Sequence, residues 1–185
     1  MRINLWAGAG AGKSTLASWL FSQLKMKDYS VELVHEYIKQ WAYMKRVPKS
    51  FDQVYIFGKQ LHAEDMVFQS GVEHLVTDSP LWMQIVYARK YNLPVWRELL
   101  EICRIFEERH PSVNILLDRS GITYQQNGRY ETYDQAKEVD RLMHEFMAVH
   151  TSNFHIVKAR DYEYILALVE PLLSGRVVDD GCVVS

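Results

Sequence analysis

Cysteine is scarce in this sequence: only Cys103 and Cys182 occur, at a spacing that suits neither a metal cage nor a redox pair. A disulfide framework is therefore not expected to organise the fold. Cys103 falls within an amphipathic helical pattern, where a thiol serves as a small apolar filler. Long hydrophobic runs are missing as well, since none approaches the roughly 18 residues a membrane-spanning helix needs. The apolar start at residues 3–6 runs into glycines and a lysine instead of a leader-peptide cleavage site, so the expected location is cytoplasmic. There is no basic excess: the net charge is −2, which gives no general reason to expect a nucleic-acid binder. Repeats and low-complexity stretches are absent, and 48% hydrophobic with 24% charged residues is the balance of an ordinary folded globule. A length of 185 residues suffices for one core and is short for two. A single domain over residues 1–173 is expected, with a flexible tail at 174–185.

Several motifs are lacking too. No Asn-Lys-x-Asp string occurs, so guanine-specific signalling chemistry has no support. His35-Glu36 starts like the zinc-binding H-E-x-x-H, but position 39 is Lys39 and hydrolysis by such a metal centre is excluded. The final residues 182–185 have C-a-a-X spacing, yet Asp179 and Asp180 stand where basic residues would assist a lipid anchor, so the pattern is read as coincidence.

What is present is an alternation of short apolar runs and amphipathic segments. Arg2 to Trp6 predicts a strand, and Leu16, Leu20 and Leu24 form a helical stripe behind it. Further strands are expected at residues 31–34, 74–77, 113–117 and 154–157. Between them, Ser50-x-x-Gln53 and Thr132-x-x-Gln135 have capping-box spacing, Ser79-Pro80 reads as a cap followed by proline at the first helical position, and Asp161 reads as a cap for the last helix. Short strands separated by helices require crossover connections, which means an α/β fold with a mostly parallel five-stranded sheet and helices on both faces. Ligands in such folds bind beyond the carboxyl ends of the strands, where residues 7–14, Glu36, Asp78 and Arg119 fall.

Ala7-Gly8-Ala9-Gly10-Ala11-Gly12-Lys13-Ser14 matches the phosphate-cradling pattern G-x-x-x-x-G-K-[ST] except that alanine replaces the first glycine. Small residues let the backbone N–H groups wrap phosphate oxygens, and the helix N-terminus adds positive potential. Gly8, Ala9, Gly10, Ala11, Gly12, Lys13, Ser14 and Thr15 are thus the expected nucleotide-binding residues, with Lys13 on the β- and γ-phosphates. Ser14 is the expected Mg2+ ligand, joined by Asp78, which closes an apolar strand as a Walker B aspartate does.

With these residues in this order, the chain resembles the P-loop nucleoside and nucleotide kinases, in particular the nicotinamide riboside kinase-like ATPases of bacterial and phage genomes. The resemblance implies a P-loop NTPase three-layer sandwich with a short lid at about residues 119–133. It implies ATP and Mg2+ as cofactors, Glu36 as the carboxylate that takes the acceptor proton, and Arg129 and Arg119 as lid cations closing on the transferring phosphoryl group. Phe57 and Gln60, on a helix that faces the acceptor in such kinases, are the implied substrate contacts beside Glu36.

The expected activity is phosphoryl transfer from ATP to a nucleoside, a nucleotide or another small hydroxyl acceptor. One rival acceptor is a hydroxymethylated base in DNA, with Lys39, Lys45, Arg46, Lys49, Arg89 and Lys90 lining a strand-binding groove. Another rival is a nucleotide-dependent switch or assembly ATPase without a small acceptor.

Overall fold

The computed structural model describes residues 1–124, 131–151 and 153–174. In chain order the elements are β1 (Arg2–Trp6), α1 (Lys13–Met26), β2 (Val31–Val34), α2 (Lys39–Tyr43), α3 (Asp52–Gln69), β3 (His74–Thr77), α4 (Leu81–Lys90), α5 (Trp96–Arg109), β4 (Ser112–Asp118), α6 (Tyr133–His150), β5 (Phe154–Lys158) and α7 (Tyr162–Leu173). The strands form one sheet in the order β2-β3-β1-β4-β5, and every pairing is parallel. β1 and β3 are buried at each position, as strands covered on both faces must be. After β3 the chain passes over β1 to reach β4, so the direction of strand addition reverses at β1 and a crevice opens at its carboxyl end.

Strand alternation divides the core into two. Ile3 and Leu5 point to the face covered by α1 and α7, where they meet Leu16, Leu20, Ile165 and Val169. Trp6 and Leu116 point to the opposite face and pack on Phe57 of α3, Leu81 and Ile85 of α4, Leu99 of α5 and Val139 of α6. Helices thus cover both sides of the sheet, giving the three-layer sandwich expected from the sequence. Cys103 is a free, buried thiol within the second core, its pKa pushed up by burial.

The second face also carries a line of buried polar groups. Asn4 Nδ2 and Trp6 Nε1 each donate to Asn114 Oδ1 at 2.9 Å. Arg2, at 0% exposure, donates through Nε to His110 O at 2.8 Å and through Nη1 to Glu64 Oε2 at 3.3 Å, and it pairs with Glu107 through Nη2. Burial raises the Glu64 pKa, opposed by the Arg2 charge.

Local helix signals fared unequally. Thr132 accepts from Gln135 N at 3.3 Å while Gln135 Oε1 accepts from Thr132 N at 2.9 Å, which completes the expected capping box of α6. The box expected at Ser50 does not form: α3 begins at Asp52, whose Oδ2 accepts from Lys49 N at 2.9 Å. Gln53 is drawn inward to Gln84 instead. At α4, Pro80 is the flanking residue and Ser79 Oγ accepts from Gln84 Nε2 at 3.3 Å, so its hydroxyl serves a buried contact rather than a helix end. Asp161 flanks α7 without a side-chain capping bond.

Removing one member of a buried ion pair leaves the other without compensation. Arg2→Met is expected to lower the unfolding free energy by about 3 kcal/mol or more, whereas Lys25→Ala, whose pair with Glu32 is exposed on both sides, shifts it by less than about 1 kcal/mol. Urea unfolding monitored by tryptophan fluorescence checks both, the Arg2 variant losing midpoint without a change of slope.

Candidate active site

The turn between β1 and α1 is set by its glycines and its lysine. Gly10 and Gly12 have φ of 81° and 87°, a left-handed backbone that only glycine takes without strain. Lys13 Nζ donates to Ala7 O at 2.6 Å and to Gly8 O at 3.1 Å, so the loop curls around its own ammonium group. Gly12, Lys13, Ser14 and Thr15 bring the first turn of α1 to the cavity wall, where a helix N-terminus favours an anion. Alanine at the first motif position is tolerated because Ala7 contributes its carbonyl and is otherwise packed in the core. The requirement for glycine falls on the next residue. A Cβ on Gly8 would sit 2.5 Å from Ala136 O and 3.1 Å from Arg119 Nη2.

Behind the loop lies a clamp that spacing could not reveal. Asp140 of α6 accepts from the Gly8 N–H and pairs with Arg119 Nε. Arg119 Nη1 donates to Ala9 O at 3.1 Å and Nη2 to Ala136 O at 3.4 Å. Arg119, expected as a lid cation, therefore lies buried against the back of the loop, joining it to α6.

Across the cavity, β2 and β3 end in carboxylates. Asp78 is 1% exposed and its Oδ1 accepts from Glu36 N at 3.0 Å, so it fixes the backbone that carries Glu36. Burial lowers the Lys13 pKa, and the charges of Glu36, Asp78, Asp140 and Glu131 pull it back in that order. Burial raises the Glu36 pKa; Lys13 opposes the rise, Asp78 reinforces it and Lys39 opposes it again. Lys39, at the start of α2, donates from Nζ to Ser14 Oγ at 3.4 Å.

The cavity has a volume of about 650 Å³, within the range of small-molecule sites. It is lined by the glycine loop with Lys13, Ser14, Glu36 and Lys39, and also by Val47, Pro48, Gln53, Gln84, Tyr87, Tyr91 and Leu93. The phenol of Tyr87 is pushed well above its ordinary pKa, first by burial and then by the Glu131 charge.

Of the residues expected from the sequence, Ala9, Gly10, Gly12, Lys13, Ser14, Thr15 and Glu36 share this wall. Ala11 is in the core, and Asp78 stands behind Glu36. Phe57 and Gln60 are not brought to the cavity. Phe57 is 2% exposed in the core under the sheet, and Gln60 accepts from Tyr37 N and donates to Glu64 and Thr77. Arg129 lies outside the described residues, as do part of the expected lid and most of the expected tail. Gln53, Gln84 and Asp140 are site residues that sequence reasoning did not select, and Lys39 was considered only for a DNA-binding groove. Only Gln53 carried a local signal, and its spacing from Ser50 pointed to a cap.

A parallel sheet in this order, with a glycine turn leading to a lysine-bearing helix at the switch point, defines the P-loop NTPase class of α/β folds. More narrowly, the AAA domain family matches residues 2–164, and the chain belongs to that family. A solved structure, that of NadR protein in complex with NR, is similar with a TM-score of 0.70 at 17% identity over 98% of this chain. The chain spans 54% of that protein, about half its length, and the likeness is one of fold. No curated protein matches the chain in sequence.

The contact of Gly8 with α6 is directly testable. Gly8→Ala is expected to cost about 1–3 kcal/mol of stability through overpacking against a backbone oxygen, read as a lower thermal midpoint. An unchanged midpoint would mean that α6 does not lie against the loop.

Proposed function

We propose that this protein is an ATP- and Mg2+-dependent phosphotransferase that moves the γ-phosphoryl group of ATP to the hydroxyl of a nucleoside, nucleotide or related small acceptor. The observation that carries the reading is that Lys13 and Glu36 line one cavity, each within the other's electrostatic reach, and that this cavity also has apolar and aromatic lining. A nucleotide-binding switch needs the glycine loop; an acceptor needs the rest of the lining. The NR bound to the NadR protein of like fold suits a small acceptor.

Mg2+ fits the residues present. Ser14 Oγ and Asp78 are oxygen donors of the hard type this ion takes; Ser14 lines the cavity, and Asp78, behind Glu36, would act on the ion through water. When bound, the ion would neutralise charge on the β- and γ-phosphates. Lys13 holds the same oxygens from the loop side, and Gly10 and Gly12 let the backbone follow them. Glu36 accepts the proton of the attacking hydroxyl. The acceptor O–P bond forms as the bond from γ-phosphorus to the bridging oxygen breaks, and ADP leaves with that oxygen. Arg129 is proposed as the cation that completes the site from the lid.

Three of the six cations considered for a hydroxymethylated DNA acceptor are engaged elsewhere in the chain. Lys39 lines the cavity, but Lys90 pairs with Glu131, Arg46 pairs with Asp52 and stacks on Trp41, and Arg89 lies over Trp96.

Lys13→Ala is expected to abolish transfer of label from ATP to any nucleoside. Glu36→Gln is expected to lower kcat by about 10²–10⁴-fold while the ATP dissociation constant stays within a few-fold. Equal loss of ATP binding would remove Glu36 from the role of base. Because burial raises the Glu36 pKa and the base acts deprotonated, activity should rise with pH through a limb above the ordinary carboxylate range. That limb should vanish in Glu36→Gln.

A further inference from the structure

The cavity wall contains a buried amide pair whose orientation is fixed by its neighbours. Gln53 and Gln84 are 3% and 4% exposed, and both line the cavity. Gln53 faces the main-chain oxygen Gln84 O at 3.3 Å, and since a carbonyl only accepts, the facing atom is the donor Nε2. The same Nε2 donates to Gln84 Oε1 at 2.7 Å, and Gln84 Nε2 is used in turn on Ser79 Oγ at 3.3 Å. The amide of Gln53 therefore cannot flip without setting its oxygen against a carbonyl. Its Oε1 is left as an acceptor with no donor among the described residues, and it belongs to a side chain on the cavity wall.

The same cavity also offers aromatic and aliphatic surface. Tyr87 and Tyr91 present rings inclined by 10° to one another, and Val47, Pro48 and Leu93 supply apolar contact. A ring that enters here exchanges water for aromatic and aliphatic surface. It also meets one fixed acceptor, which a ring without a donor would bury unpaired.

We infer that Gln53 Oε1 is the specificity-determining atom of the acceptor pocket and selects planar-ring substrates that carry an N–H donor, an amine or a primary amide, at the ring edge. The inference deepens the phosphotransferase reading and rests on it for the identity of the occupant. Gln84 acts as a positioning residue, holding the Gln53 amide in its one useful orientation, and Ser79 at the end of β3 holds Gln84.

Ribosides that differ at one group test this. The pairs are adenosine and purine riboside, cytidine and pyrimidin-2-one riboside, and nicotinamide riboside and 3-acetylpyridine riboside; the first member of each carries the donor. Binding to the full chain is measured by calorimetry, with and without a non-hydrolysable ATP analogue and Mg2+. The donor-bearing member of at least one pair should bind about tenfold tighter or more. In Gln53→Leu its affinity should fall to that of its partner, with the partner's affinity nearly unchanged. Gln84→Met should shrink the preference without removing it, a response that general loss of fold would not give. Should Gln53→Leu not fold, the wild-type comparison and Gln84→Met decide.

Equal affinities within all three pairs, no binding of any riboside, or a preference that survives in folded Gln53→Leu would overturn the inference. Transfer of label from ATP is followed separately. Selective binding without a phosphorylated product would sink the phosphotransferase reading and leave the subsite standing, while equal turnover of both members of each pair would do the reverse.

Discussion

An ammonium group enclosed by protein has to be surrounded by oxygen, and the Lys13 ammonium imposes that condition on everything near it. Two loop carbonyls, Ala7 O and Gly8 O, supply the closest contacts, and reaching them obliges the chain to curl through the left-handed backbone at Gly10 and Gly12. Carboxylates supply the longer-range part. Glu36 follows β2, Asp78 follows β3, the glycine loop follows β1 and Arg119 follows β4. In the order β2-β3-β1-β4 these four ends stand side by side along one rim. Parallel register turns four distant stretches of sequence into one row, two carboxylates beside two cations. Burial depresses the lysine and raises the glutamate, and each charge offsets the shift of the other.

The back of the loop is as constrained as its front. Asp140 ties the Gly8 amide to α6 and holds Arg119, which reaches Ala9 O and Ala136 O. Arg119, at the start of the expected lid, and Ala136, just beyond its end, thus both lie against the loop. The rest of the sheet serves this rim. Arg2, Asn4 and Trp6 alternate on the inner face of β1, and their hydrogen bonds to Glu64, Glu107 and Asn114 hold the strand that delivers the loop.

The sequence showed the loop and the rim plainly because both are local signals. A glycine turn between an apolar strand and a leucine stripe needs no distant partner to be recognised, and a charged residue at the end of an apolar run marks a strand end wherever the strand lies. Helix faces are different. Gln53, Phe57, Gln60 and Glu64 form one inward stripe on α3, but which part of it meets the cavity depends on the direction of the helix relative to the loop. Only Gln53, in the first turn, reaches the cavity; Phe57 and Gln60 are directed under the sheet. The same dependence hid the partnership of Gln53 with Gln84, since a residue three places after a serine reads as a cap until its tertiary partner is known. Asp140 and Lys39 left no trace in spacing, because their partners, Gly8 and Ser14, lie far off in the chain.

The central claim is that the turn around Lys13 is a cradle for nucleotide triphosphate. Calorimetric titration of a non-hydrolysable ATP analogue tests it most directly, with and without Mg2+, into the intact chain and into Lys13→Met. The account requires saturable binding that Mg2+ strengthens and that the substitution largely removes. Absence of heat with the intact chain, or equal affinity in Lys13→Met, would contradict it.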